Sequence, residues 1–175
     1  MLGSHIGPTH SHTTHRTHDL SFRAITALFG HAGLEWDLTE TTPDERKVLT
    51  SWAAYYKANR ELLHNGKMVR IEHPDDSAFV HGVVAQDKSR AIFAMATLRA
   101  MPGMTPSALR LEGLDPLANY RVKMVEPAGS PRYVHRQMPK WLDGVELTGA
   151  ALAKVGLRPP ILAPENAILI EAERI

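Results

Sequence analysis

The chain has 175 residues, 43% of them hydrophobic and 22% charged, the proportions of an ordinary globular fold with a real core. Twenty Lys and Arg against 19 Asp and Glu leave a formal charge of +1, and no Lys/Arg-rich run occurs, which argues against nucleic acid or an anionic membrane as partner. The absence of cysteine excludes a disulfide framework, a thiolate metal site and a Cys nucleophile. No apolar run reaches the ~18 residues of a membrane span, and the start lacks a signal-peptide pattern, so the expected location is the cytoplasm.

In chain order, Leu2–Ile6 reads as a short strand ended by Gly7-Pro8. A polar, His-rich loop follows. Asp19 or Ser21 can cap a helix from Phe22, whose apolar face is Phe22, Ile25, Phe29 and Ala32, with Gly33 as its stop. Thr42-Pro43-Asp44-Glu45 predicts a second helix with a capping box. Val48, Trp52, Tyr55, Tyr56, Leu62 and Leu63 form its broad apolar face, and Asn65-Gly66 ends it.

From Lys67 the apolar period changes from helical to alternating. Val69 and Ile71 mark one strand. Phe79–Ala85 and Arg90–Leu98 flank a hairpin turn. Leu109 and Leu111 alternate with charges, as do Tyr120, Val122 and Met124 after the Gly113-Leu114-Asp115-Pro116 turn. Residues 126–144 read as a loop, and Ile168 and Ile170 belong to a last strand ending near Glu173. Several short strands with close turns predict a small antiparallel β-sandwich.

Candidate chemistry is sparse. His5, His10, His12, His15 and His18 are good imidazole donors, but their spacing is not that of a structural zinc site and no helix organises them; no metal site and no cofactor are expected. Retaining glycosidic chemistry needs two carboxyl groups about 5–5.5 Å apart, one of them held protonated. The acidic residues, such as Asp44, Glu45, Glu112 and Glu171, occupy solvated faces and helix starts, so no catalytic pair emerges. No nucleophile elbow or phosphate loop is present. Among the aromatics, Trp52 reads as core, Trp36 as partly exposed and Trp141 as the best exposed platform for a sugar ring.

Three stretches carry a resemblance: Gly3-Ser4-His5-Ile6-Gly7-Pro8, His12-Thr13-Thr14-His15-Arg16, and Phe22-Arg23-Ala24 with Phe29-Gly30-His31-Ala32-Gly33-Leu34-Glu35-Trp36-Asp37. In this order they resemble the final strand and helix of the catalytic barrel of glycoside hydrolase family 36, the α-galactosidase (melibiase) type. Tyr56-Lys57 with Arg60, Leu63 and Gly66 resembles the family's linking helix. Gly113–Pro116, Tyr120–Val122, Gly149, Leu152, Gly156-Leu157, Pro160 and Pro164 resemble its C-terminal β domain. The family often has Gly where this chain has His15.

The resemblance implies an α+β chain: residues 1–40 ending a (β/α)8 barrel from about the eighth strand, 41–66 linking, and 67–175 an antiparallel sandwich. A whole barrel takes about 250 residues, so the nucleophile and acid/base Asp are expected outside these residues. The fragment alone is then inactive. The intact enzyme would hydrolyse α-galactosides such as raffinose or melibiose with retention, without cofactor, and could be a homo-oligomer. His10, His12 and Arg16 would bind substrate or shape the loop. The residues also admit two other readings: a non-catalytic carbohydrate-binding or interaction sandwich, and a metal-binding His-rich start. Residues 1–40 alone are expected to be poorly ordered or to pair with a neighbour.

Overall fold

The structure, a computed structural model, describes residues 2–101, 103, 106–134 and 138–175; positions 135–137 of the expected 126–144 loop lie outside the described residues. Two strands, β1 (Gly3–Ile6) and β2 (His31–Leu34), run parallel and flank α1 (Leu20–Ala27) in sequence. The long α2 (Pro43–Asn65) follows. Then come β3 (Lys67–Ile71), β4 (Ala78–Val84), β5 (Arg90–Thr97), β6 (Asn119–Val125), β7 (Val145–Thr148), α3 (Gly149–Lys154) and β8 (Asn166–Arg174). The last six strands form one antiparallel sheet in the order β3-β4-β5-β8-β6-β7.

The second helix is where the sequence places it. Thr42 Oγ1 accepts from the Glu45 amide at 3.2 Å while Glu45 Oε2 accepts from the Thr42 amide at 2.8 Å, so two otherwise orphaned donors are satisfied. Its buried stripe, Leu49, Trp52, Leu62 and Leu63, packs with Ile6, Ala24, Leu28 and Phe29 against one face of the sheet, where Val83, Ile92, Ala94 and Leu169 point. Phe93, Met95, Ile168 and Ile170 point to the other face. The central strands β5 and β8 are thus buried on both sides, which explains why they read as nearly continuous apolar runs.

Two expectations are corrected. The first helix stops at Ala27, and the stretch containing Ala32 and Gly33 is a strand. The amides of His31 and Glu35 donate to Leu2 O and Ile6 O at 2.8 and 3.0 Å, so pairing with β1 overrides the helical spacing. Gly30 permits the approach: a Cβ there would meet Ser4 Oγ at 2.5 Å. The second correction concerns the sandwich. Among the described residues all six later strands belong to one sheet. Its far face is covered by extended segments, by α3 and by a single 3-10 turn at Lys140–Asp143. Leu109 and Leu111 are fully buried there, as their alternation implies, but Leu109 makes only an isolated bridge with Leu157. The short β7 and α3 had no sequence signal.

Two polar contacts tie α2 to the sheet. Tyr55 donates to Glu171 Oε1 at 2.8 Å, and Arg90 donates to Asn59 Oδ1. Burial, then the neighbouring Glu171 carboxylate, pushes the Tyr55 pKa up, so its hydroxyl stays a donor. Glu171 itself is not the solvated residue its alternation suggests: its side chain is 12% exposed.

His81 on β4 lies between Phe29, 4.4 Å away edge-on, and Phe79 at 5.3 Å, and its buried Nδ1 has no partner. Burial lowers its pKa. The unfolded imidazole therefore takes up a proton at higher pH than the folded one. Stability is complete above the unfolded value of about 6.5 and falls as pH drops from there toward the folded value. Arg70, opposite His81 on β3, lies with its guanidinium over the Phe79 ring. His81→Phe is expected to shrink the fall in melting temperature between about pH 8 and about pH 5, measured against wild type by calorimetry.

Candidate functional site

The parallel strands β1 and β2 end side by side at Ile6 and Leu34. The loops that leave these ends enclose an open cleft of about 650 Å³, lined among others by His5, Thr9, His12, His18, Arg23 and Trp36. A volume in this range suits a small organic ligand.

Arg23, in the first turn and a half of α1, organises the cleft. Its Nε donates to His18 O at 3.1 Å, Nη2 to Thr9 Oγ1 at 3.0 Å, and Nη1 to Gly7 O. Its guanidinium lies 4.9 Å from the centre of the Trp36 ring, a cation–π contact. One side chain thus ties the loop after β1 to the segment after β2. Across the mouth, His5 Nε2 and Glu35 Oε2 are 2.7 Å apart, with both side chains mostly exposed. Asp37 accepts from the Thr39 hydroxyl at 2.7 Å and the Thr39 amide at 2.9 Å. Those bonds hold its carboxyl below the ordinary value, the hydroxyl contributing most. Asp37 is therefore ionised at neutral pH and is not a proton donor.

The structure separates the three residues named from sequence. His12 lines the cleft. His10 does not: its backbone bridges to Thr17 and its ring lies 5.9 Å from that of His15. Arg16 reaches away, to Glu165 at 3.3 Å. The residues that sequence reasoning passed over are His5, His18 and Arg23 as lining groups, together with Trp36. All but His18 lie in the quoted stretches, so the signal was present as letters without a role. Trp141 is corrected outright. It is 8% exposed, and its Nε1 donates to Arg158 O at 2.7 Å, so it is core. Among the described residues no group of three or more His, Asp or Glu could hold a metal ion, and no helix is long and apolar enough to cross a membrane.

His15 has a φ of 56°, the left-handed region where Gly is at ease and other residues are strained. A Gly at this position, as the family resemblance implies, would relieve that strain. His15→Gly is expected to leave the fold intact and shift stability by less than about 1 kcal/mol, toward stabilisation. Urea unfolding measures it; a loss above about 1 kcal/mol would show that the His10–His15 contact matters more than the backbone.

Residues 79–169 match the profile of the glycosyl hydrolase family 36 C-terminal domain, and residues 1–66 match the melibiase profile. The chain is 40% identical over 181 aligned positions to an α-galactosidase of Escherichia coli, which covers 99% of this chain and 25% of that protein. It is 30% identical over 125 positions to α-galactosidase AgaA of Geobacillus stearothermophilus, covering 70% of this chain and 17% of the relative. The chain therefore spans a quarter or less of these two relatives. In fold it is similar to the crystal structure of α-galactosidase from Lactobacillus brevis, with a TM-score of 0.81 at 24% identity, over 100% of this chain and 22% of that one. AgaA in complex with raffinose gives a TM-score of 0.80 at 24% identity, over 99% and 22%.

Proposed function

Since the chain belongs to glycosyl hydrolase family 36, we propose that it supplies the closing part of an α-galactosidase: the last two strands of the catalytic barrel, the linking helix and the C-terminal module. The whole enzyme removes terminal α-linked galactose from oligosaccharides with retention, through a covalent glycosyl intermediate. The observation that carries this reading is the parallel β1–β2 pair whose ends open on the cleft. In (β/α)8 enzymes the chemistry sits at the C-terminal ends of the strands. The parallel β1–α1–β2 order supports reading β1 as the seventh and β2 as the eighth strand, where the sequence alone suggested β1 as the eighth.

In this reading the cleft is the rim of the sugar site, with His12 and Trp36 nearest the ligand. The two acid groups of the reaction come from barrel strands outside these residues. Asp37 stays ionised on Thr39, so it is not suited to be the proton donor. The raffinose complex of AgaA supports α-galactosides as the substrate class. A free-standing sugar-binding sandwich has less support, because Trp52 and Trp141 are buried and Trp36 carries Arg23 on its ring.

A graft tests the proposal. The matching segment of the E. coli relative is replaced by these residues, and hydrolysis of a chromogenic α-galactoside is followed. The graft should retain activity within about tenfold of the parent, while deletion of the segment abolishes it. A folded but inert graft would sink the reading.

A further inference from the structure

The loop that walls the cleft is tied to the opposite side of the molecule. Arg16 Nη1 lies 3.3 Å from Glu165 Oε1, and His18 Nε2 lies 3.3 Å from Glu165 Oε2. Arg132 Nε donates to Asp19 Oδ2 at 2.7 Å. Exposed ion pairs of this kind often do little. Four features set these apart.

Glu165 has a φ of 56°, a strained conformation for a residue with a side chain. Backbone outliers of this sort gather where function over-determines them. Its amide donates to Thr97 O at 2.7 Å, and Thr97 is fully buried, so the strained residue is anchored. The next residue, Asn166, is also fully buried and accepts the Arg132 amide on Oδ1 at 2.7 Å. Glu165 and Arg132 therefore stand on one buried bracket at the start of β8. On the loop side, Asp19 holds the capping position of α1 but makes no capping bond; its carboxylate faces Arg132 instead.

The ties reach the cleft through few bonds. The Ser11 amide donates to Arg16 O at 2.9 Å, and the His18 amide donates to Thr9 O at 3.2 Å. Thr9, Ser11, His12 and His18 all line the cleft. The His18 side chain is only 19% exposed and its ring packs 5.4 Å from Phe22.

We propose that Glu165 is a positioning residue: one carboxylate from the sheet module holds Arg16 and His18, and through them fixes the Thr9–His12 wall of the cleft. This gives the module a role in shaping the site. The catalytic consequence rests on the glycosidase reading; the structural one does not.

The test has two arms. In the 175-residue chain, Glu165→Gln and Glu165→Gly are compared by hydrogen exchange. Glycine relieves the backbone strain while removing the carboxylate, so a fold defect and a lost tie are separable. Both variants should speed exchange at the Ser11, His15 and His18 amides by about fivefold and leave the α2 amides unchanged. In the graft, Glu165→Gln should raise KM by about three- to tenfold with a smaller change in kcat. A merely structural role would lower the yield of active enzyme and leave KM alone. Unchanged exchange in the loop of both variants overturns the proposal. An active graft whose KM does not move with Glu165→Gln also overturns it. If the wild-type graft is inert, the glycosidase reading fails, and the exchange arm still decides the role of Glu165.

Discussion

Trp52→Ala is expected to cost about 3–5 kcal/mol of folding stability, the largest loss from any single truncation considered for this chain. Trp52 is 3% exposed. Its indole N–H donates to Ala24 O at 2.9 Å, and its ring stacks on Tyr56 at 5.7 Å between centroids. It thus links α2 to α1 within the core beneath the sheet. Truncation opens a cavity and leaves a buried carbonyl without that donor. A domain of this size has only about 5–15 kcal/mol in total, so the variant sits near the edge of folding. Trp52→Phe retains most of the packing and loses the hydrogen bond, for which about 1–2 kcal/mol is expected. Urea unfolding of both variants checks the pair. Equal losses would mean that the ring contributes less than its hydrogen bond.

The second large effect is on the site. Arg23→Ala removes hydrogen bonds to Gly7, Thr9 and His18 and the contact with Trp36. The loop then loses its inner tie, while the outer ones to Glu165 and Arg132 remain. Displacement of a positioning group by about 1 Å is enough for a hundredfold loss of rate. Activity of the grafted enzyme is therefore expected to fall about 100-fold, with a stability loss of about 1–3 kcal/mol. Lysine does not rescue it, because an ammonium cannot span three acceptors and cover an indole. Steady-state kinetics with a thermal melt separate the two losses. Activity within about threefold of the parent would remove Arg23 from the account.

Some of this architecture was written locally. The capping box at Thr42 and Glu45 depends on four consecutive residues, so the start of α2 follows from the letters. The strands β5 and β8 were legible from their apolar residues, while their burial on both faces is seen only in the fold. The β2 strand was hidden because Phe29 and Ala32 continue the helical spacing of Phe22 and Ile25. Only its partner β1, distant in sequence, decides its state. The layer over the far face was legible as alternation at Leu109 and Leu111 but not as its actual form, since among the described residues no second sheet receives it. At β7 and α3 the segments are too short for a period to register.

The cleft shows the same division. Glu35, Trp36 and Asp37 stood in the stretch resembling the family, yet the space they line exists only once β1 and β2 lie side by side. Arg23 looked like any charged residue on a helix. Glu165 gave no sign at all, because a left-handed glutamate has no sequence signature. His12 lines the cleft, whereas His10 and Arg16 turn toward His15 and Glu165. Position in a His-rich loop does not fix which side chains face inward.

The central claim is that these residues complete an active site whose acid groups lie elsewhere. Galactose release from an α-galactoside, assayed for the chain alone beside the graft in the E. coli relative, tests it most directly. The account predicts release by the graft and none by the chain alone. Release by the purified chain would contradict it.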